Sequence, residues 1–130
     1  MTLVDTSVWI SAFRWPNSEV ARLLRELLDG REVALAAPVR VELLIGVSRT
    51  EQSRFRRVLA ALPLFYPGAS EWQTIDDWVD AASRVGEQFG FADLLIAAIA
   101  SERDLALWSL DQDFERMARF GWVRLFQPKK

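Results

Sequence analysis

Hydrophobic positions along the chain follow two spacings that alternate with each other. Short, nearly continuous apolar runs are typical of buried strands, and they predict strands at 2–8 (a strand that leads into a turn), 33–37, 64–66, 105–110 and 123–126. Between these runs, apolar residues recur every three or four positions. This second spacing predicts helices at 18–30, 38–47, 50–62, 70–90, 91–104 and 111–121.

The alternation of short apolar strands with helices favours a parallel sheet that is covered by helices on both faces. The expected fold class is therefore α/β, a three-layer α/β/α sandwich with a short, mainly parallel sheet. The chain has 130 residues, which is the length of one domain. Since no linker or internal repeat interrupts it, we expect residues 1–130 to form a single domain.

Two of the helices carry distinctive apolar patterns. The helix at 91–104 is apolar almost all round, so we expect it at the centre of the fold. In the helix at 70–90, Trp72, Ile75, Val79 and Ala82 recur every three or four residues. These four side chains are expected to form its buried face.

The chain contains neither cysteine nor histidine. These absences exclude a disulfide scaffold, a zinc–thiolate site, a cysteine nucleophile and a Ser-His-Asp hydrolase, and the lack of cysteine fits a reducing compartment. Asp5 interrupts the N-terminus before any apolar signal-peptide segment, and the apolar run at 94–100 is too short to span a bilayer. We therefore expect a cytoplasmic protein without a membrane partner.

The charges are nearly balanced, with a formal net charge of −2, so the chain is not a generally basic nucleic-acid binder. Fourteen of the sixteen cationic residues are nevertheless arginine, and a guanidinium group can bind a phosphate with two hydrogen bonds. Most of these arginines are interpreted as ordinary surface charge.

Four acids lie next to apolar segments. Asp5 follows the first strand, Glu42 lies within VRVELLIGV, Asp93 is the only charge in FADLLIAAIA, and Asp111 follows LALWSL. Each also has a local explanation. Asp5 can form an Asx turn, Asp93 can favour the first turn of its helix, Asp111 can be a helix N-cap, and Glu42 can be a surface acid.

Taken together, the four positions favour one site. Ligands of parallel α/β sheets bind outside the carboxyl ends of the strands, and all four acids are expected at or near that edge. Two carboxylates about 4 Å apart repel each other by roughly 4 kcal/mol at an effective dielectric constant of 20, so such a cluster needs a compensating cation. Oxygen ligands without histidine or cysteine indicate a hard divalent ion, Mg²⁺ or Mn²⁺.

Four segments in order resemble the PIN domain, and more narrowly the VapC-type toxins of bacterial VapBC toxin–antitoxin pairs. They are DTSVW at 5–9, VRVELLIGV around Glu42, FADLLIAAIA at 91–100 and SLDQDF at 109–114. The resemblance covers essentially the whole chain. It implies a Mg²⁺-dependent endoribonuclease that leaves 3′-hydroxyl and 5′-phosphate ends. Such a toxin blocks translation until its antitoxin neutralises it.

The resemblance assigns the catalytic carboxylates to Asp5, Glu42, Asp93 and Asp111. It implies that Asp5 and Asp93 bind the principal Mg²⁺, or Mn²⁺ in its place, directly or through water. Glu42 and Asp111 would orient the attacking water or hold a second ion. The metal lowers the pKa of its bound water. Carboxylates with pKa values near 4 would be poor bases at neutral pH and could not activate the water alone.

Further groups carry over beside the four acids. Thr6, Ser7 and Ser109 are supporting hydroxyls, and Ser109 stands where the family often has threonine. Asp113, in DQDF, is interpreted either as a further acid next to the metal or as an acid in the first turn of a helix.

Three arginines and two protein partners complete the expectations. Arg14, Arg40 and Arg49 are candidates for contacts with RNA phosphates, with ordinary surface charge as the alternative for each. The resemblance implies a cognate antitoxin whose C-terminal segment wraps the toxin and inserts a basic side chain into the acidic pocket. It also implies a homodimer.

Other functions are weighed against this one. A catalytically silent PIN-fold module that binds RNA or protein is the main alternative, although all four acids are present. A phosphohydrolase with an Asp nucleophile has a second Asp two residues later, where this chain has Ser7. A receiver-like phosphoacceptor needs a lysine near the pocket, and no lysine precedes residue 129. A DNA-directed nuclease of the same fold stays open, because the metal chemistry is shared.

Overall fold

The computed structural model describes residues 1–128, which form four strands and seven helices. In chain order these elements are β1 (Thr2–Val4), α1 (Thr6–Arg14), α2 (Glu19–Asp29), β2 (Val33–Ala36), α3 (Ala37–Gly46), α4 (Arg49–Leu59), β3 (Leu64–Phe65), α5 (Ala69–Arg84), α6 (Phe91–Glu102), β4 (Ala106–Trp108) and α7 (Asp113–Arg119).

The four strands form one parallel sheet in the order β3-β2-β1-β4. β2 and β3 are added successively on one side of β1, and β4 pairs with the opposite side of β1. Because crossovers between parallel strands are right-handed, the helices after β3 cover the opposite face from the helices before it. The expected three-layer fold is thus confirmed, and the reversal point lies between β1 and β4.

Helix α6 lies at the centre of the fold, as its composition predicted. Every residue from 94 to 100 is buried, and Ile96 and Ile99 have no exposed surface. The helix packs against α5, α7 and α3 and also contacts β4. Its apolar surface is therefore used on all sides, which fixes the position of its N-terminus and of Asp93 in the first turn.

Helix α1 is the main element that the sequence did not predict. The stretch at 2–8 was expected to be a strand that leads into a turn, but the strand ends at Val4 and a helix begins at Thr6. Asp5 is its N-cap, and the carboxylate accepts a hydrogen bond from the Ser7 amide at 3.4 Å. A carboxylate at this position satisfies a helix N–H that would otherwise have no partner, so the polar residue starts a helix here.

The buried face of α5 differs from the expected one. Ile75 and Ala82 are buried as expected, but Trp72 is 46% exposed and Val79 is 50% exposed, while Trp78 is buried. The buried face therefore contains Ile75, Trp78 and Ala82, and it is displaced around the helix axis from the expected face. The packing of α5 against α6 decides which apolar side chains are covered. The helix also ends at Arg84 rather than near residue 90.

The last expected strand, at 123–126, is reduced to a single parallel bridge between Leu107 and Leu125. Between residues 1 and 128, none of the helices combines the length and the apolar character that crossing a membrane requires.

Two matched valines test this description of the packing. Val39 of α3 has no exposed surface, whereas Val79 of α5 is half exposed. We expect Val39→Ala to lower the free energy of unfolding by roughly 1–3 kcal/mol, because two buried methyl groups are lost. Val79→Ala should change it by less than about 0.5 kcal/mol. Urea denaturation measures both, and an equal loss at Val79 would favour the face expected from the sequence.

Candidate active site

The pairing of β1 with β4 places the first two groups of the site side by side. Val4 pairs with Trp108, so the next residues, Asp5 and Ser109, leave adjacent strands at the same edge of the sheet. The Asp5 amide donates to the Trp108 carbonyl at 2.9 Å, and the Ser109 hydroxyl donates to Asp5 Oδ2 at 2.7 Å. Asp5 and Ser109, which are 104 positions apart, are therefore held in direct contact by strand register.

Asp5 is buried, with 5% of its surface exposed, and hydroxyl groups compensate its charge. Ser7 Oγ donates to Asp5 Oδ2 at 2.8 Å and accepts from the Leu110 amide at 2.9 Å. Ser109 Oγ accepts in turn from the Asp111 amide at 2.9 Å. The two serines therefore fix both the carboxylate and the loop after β4, as groups that support the site.

Glu42 reaches the same region from α3. Its Oε1 accepts a hydrogen bond from Thr6 Oγ1 at 2.7 Å, and this contact joins the start of α1 to the middle of α3. The supporting role expected for Thr6 thus has a geometric basis. The hydroxyl fixes one oxygen of Glu42.

Asp93 lies in the first turn of α6 and is the acid most affected by its surroundings. Burial, as the largest cause, and the negative charges of Asp111, Asp5, Asp113 and Glu42 together raise its pKa from the ordinary value of 3.8 to about 6. All five acids are therefore close enough to interact. Burial and these neighbouring charges disfavour the ionised form of Asp93.

Three of these carboxylates form the tightest group. Among residues 1–128, Asp93, Asp111 and Asp113 each offer an oxygen atom within 4.8 Å of the other two. Asp113 thus belongs to the acidic cluster as well as to the first turn of α7, so that both interpretations of this residue describe it. Asp5 is outside this group of three, and its role as a metal ligand stays a prediction.

Asp111 also helps to start α7. Its Oδ1 accepts from the Asp113 amide at 2.9 Å, which is the local role considered for it in the sequence, although Gln112 is the N-cap residue. The remaining carboxylate oxygen of Asp111 can still face the cluster. The local and the functional roles of this acid are therefore compatible.

The donor set fits a hard divalent cation. The three clustered groups are all carboxylates, and the raised pKa of Asp93 reflects its burial first and then the negative charge of the neighbouring acids. Mg²⁺ and Mn²⁺ prefer such oxygen ligands. Asp93, Asp111 and Asp113, with Asp5 and Glu42 beside them, could hold such an ion.

The three arginines expected to contact RNA lie at different places. Arg14 ends α1 and lines a shallow depression with Ser48 and Glu51, next to Arg49 at the start of α4. Arg40 lies two positions before Glu42 in α3, and residues two apart on a helix do not share a face. Arg14 therefore lies near the start of α4, the helix that Arg49 begins, whereas Arg40 does not share a face of α3 with Glu42.

One polar residue near the cluster was missed by the sequence analysis. Arg116 Nη1 donates to Asp113 Oδ1 at 2.8 Å. Its position three residues after Asp113 is typical of a simple ion pair on a helix surface, so the sequence alone gave no reason to single it out.

Comparisons with known proteins agree with this fold. Residues 2–120 match the PIN domain family. The chain is 32% identical over 126 residues to Ribonuclease VapC11 of Mycobacterium tuberculosis and to VapC ribonuclease Mb1587 of Mycobacterium bovis, with 92% of each chain covered.

Solved structures share the fold at lower sequence identity. VapBC2 from Rickettsia felis, bound to a DNA fragment from its promoter, gives a TM-score of 0.77 at 19% identity, covering 98% of both chains. VapC20 of Mycobacterium tuberculosis, described as a Sarcin-Ricin loop cleaving toxin, gives a TM-score of 0.64 at 17% identity, covering 90% of this chain and 95% of that chain.

The raised pKa of Asp93 predicts a pH dependence of stability in the absence of metal. A folded-state pKa of about 6 against an ordinary 3.8 means that the folded state binds the proton more tightly. The stabilisation is complete below about pH 4 and is lost as the pH rises through 6. Because Asp93 is only partly buried, solvent screens its charge, and we expect this loss to be roughly 1–2 kcal/mol.

Chemical denaturation in EDTA between pH 4 and pH 7.5 measures this effect. Asp93→Asn should remove that part of the slope, because the amide does not titrate. Asp76→Asn, on the exposed surface of α5, should keep it. Identical slopes in the wild type and in Asp93→Asn would contradict the prediction.

Proposed function

The chain belongs to the PIN-domain family as a VapC-type member, and we propose that it is the endoribonuclease toxin of a toxin–antitoxin pair. Its reaction is the hydrolysis of RNA phosphodiester bonds with a divalent metal ion, Mg²⁺ or Mn²⁺ as a substitute. Relatives named as VapC ribonucleases support the nuclease activity. An RNA substrate places the proposed action in the cytoplasm, where it would block translation.

One observation carries the metal dependence. Burial and the negative charges of four other carboxylates raise the pKa of Asp93 to about 6, and no histidine is present to act as a base. Such a concentration of acids is costly for a fold unless a cation occupies it. A bound divalent ion lowers the pKa of a water ligand and offsets charge on the scissile phosphate.

The side chains of the site have separate tasks in this proposal. Asp93, Asp111 and Asp113 would hold the ion, and Asp5, whose carboxylate is fixed by the hydroxyls of Ser7 and Ser109, would support them. Each of these hydroxyls donates a hydrogen bond to the Asp5 carboxylate and so fixes its orientation.

Glu42 is the candidate for orienting the attacking water. Thr6 donates to its Oε1, which leaves Oε2 to accept a proton from a water molecule at the edge of the cluster. In-line attack by that water on the phosphorus would break the P–O3′ bond, and the departing 3′ oxygen would take a proton from solvent, which gives a 5′-phosphate and a 3′-hydroxyl product.

RNA contacts outside the metal site are assigned to Arg14 and Arg49. Both are exposed and lie near each other at the ends of α1 and α4, so they can bind successive phosphates. Arg40 is a weaker candidate, because it does not share a helix face with Glu42.

This chain offers a surface that could bind an antitoxin between α1, α2 and α4. A groove of about 420 Å³ there is lined mainly by apolar side chains, with Arg25 and Arg54 among the residues that line it. Within residues 1–128 the buried indole Nε1 of Trp9, another lining residue, has no hydrogen-bond partner. An apolar helical segment with an acceptor for this group would fit the groove, and a basic side chain from the same segment would neutralise the acidic cluster.

A homodimer is supported by exposed apolar side chains on α3, α5 and α6. Ile45 is 77% exposed and Val41 is 51% exposed one turn earlier on α3. Trp72 and Phe91 are also exposed, and their rings lie 6.0 Å apart. We propose that these exposed apolar side chains pack against a second copy of the chain in a symmetric dimer.

The nuclease proposal is tested with total cellular RNA, in Mg²⁺ and in EDTA. We expect discrete fragments that require the metal, and we expect Asp93→Asn to reduce their rate of formation by at least about 100-fold, because a cation ligand is lost. Asp76→Asn should cut at the wild-type rate. Unchanged RNA with the wild type, whose fold is verified, would favour the silent binding module, and equal cutting of DNA would favour a DNA-directed nuclease.

The dimer proposal is tested by placing a charge in the exposed apolar surface. Ile45→Glu should convert the dimer into a monomer, because a carboxylate would be desolvated in the interface. Val85→Glu, at a position that is 65% exposed beyond the end of α5, should leave the dimer intact. Sedimentation velocity measures both, and a wild type that is monomeric at all concentrations would rule the dimer out.

A further inference from the structure

Arg116 makes more contacts than a simple helix ion pair requires. Its Nη1 donates to Asp113 Oδ1 at 2.8 Å, and its Nη2 donates to the Gln88 carbonyl at 2.9 Å and pairs with Glu87. The guanidinium carbon lies 4.3 Å from the centre of the Phe89 ring. Only 29% of the side chain is exposed, so the group is held between α7 and the segment that precedes α6.

The surface under Arg116 is itself rigid. Phe89 packs edge-on against Trp122 at 5.5 Å and against Phe120 at 6.1 Å. Trp122 also stacks on Trp78 of α5 at 4.7 Å and on Phe120 at 4.4 Å. The guanidinium group of Arg116 therefore packs on an aromatic ring that itself packs against two other rings.

The contacts of Arg116 connect two of the metal-binding candidates. Residues 87–89 lead directly into Gly90, the N-cap of α6, and so into the first turn that carries Asp93. Asp113 begins α7. The guanidinium thus joins the segments that carry Asp93 and Asp113, whose carboxylates lie within 4.8 Å of each other and of Asp111.

We propose that Arg116 is a positioning residue that acts through Asp113 and sets the affinity of the acidic cluster for a divalent ion. The inference rests on the proposed function, since it concerns the same metal site. Arg116 holds Oδ1 of Asp113, and the carboxylate of Asp113 also offers an oxygen within 4.8 Å of Asp93 and Asp111. Groups that orient a metal ligand in this way change metal affinity by about 10–100-fold when they are removed.

A pure charge effect would have the opposite sign. Removing a positive charge beside a cation site lowers the repulsion of the metal, so the loss of Arg116 would then tighten binding. A purely structural ion pair would lower the stability of the metal-free fold and leave the affinity unchanged. The direction of the change in affinity therefore separates the three roles.

The experiment measures Mn²⁺ affinity by titration calorimetry with the full chain. We expect R116M to weaken Mn²⁺ binding by about 10–100-fold. R116K should weaken it similarly, because an ammonium group is a single point charge that cannot bridge Asp113, Glu87 and the Gln88 carbonyl together. Arg84→Met, which removes an exposed arginine paired with Asp80 on α5, should bind as the wild type does.

A double-mutant cycle tests whether Arg116 acts through Asp113. D113N should itself weaken binding, and R116M should cause no further loss in that background. Circular dichroism and the melting temperature in EDTA establish that each variant is folded. If R116M does not fold, R116K and its combination with D113N decide the question.

The outcomes separate this inference from the proposed function. Equal or tighter Mn²⁺ binding by R116M, or a further loss in the D113N background, would overturn the inference while leaving a metal-binding nuclease in place. A folded wild type that binds no Mn²⁺ would overturn the metal dependence and the inference together.

Discussion

Repulsion among carboxylates at the edge between β1 and β4 is the constraint on which the rest of the site depends. Asp5, Glu42, Asp93, Asp111 and Asp113 all act on the same small volume. Burying charge without compensation costs several kcal/mol, and the fold meets this cost with specific contacts. Asp5 is almost fully buried, yet it accepts hydrogen bonds from two hydroxyls and one amide.

Three helix N-termini reduce the same repulsion. Asp5 caps α1, Asp93 lies in the first turn of α6, and Asp113 lies in the first turn of α7. The positive end of a helix dipole stabilises a nearby carboxylate, typically by 0.3–1 kcal/mol. The arrangement of these elements is itself held by the all-round packing of α6 and by the register of β1 with β4. The acids are thus placed by the core rather than by loops.

The compensation is incomplete at Asp93. Its burial and the four neighbouring carboxylates raise its pKa above the ordinary value, and the dipole of α6 does not cancel this effect. The proposed cation would relieve the repulsion among these carboxylates. Arg116 neutralises part of the cluster from behind, through Asp113, so its removal affects both the charge and the geometry of the same carboxylates.

The sequence by itself determined the class of the fold and the acids of the candidate site. The spacing of apolar residues is a local property, and it identified the central position of α6 and the alternation of strands with helices. Asp5, Glu42, Asp93 and Asp111 were conspicuous because a charge beside an apolar segment risks burial, which costs free energy unless the charge is compensated. Only the tertiary structure decided that Asp5 starts a helix, that Trp78 rather than Trp72 is buried, and that Asp113 and Arg116 belong to the cluster. These features depend on strand register and on packing between segments far apart in the chain, and local patterns do not encode such contacts.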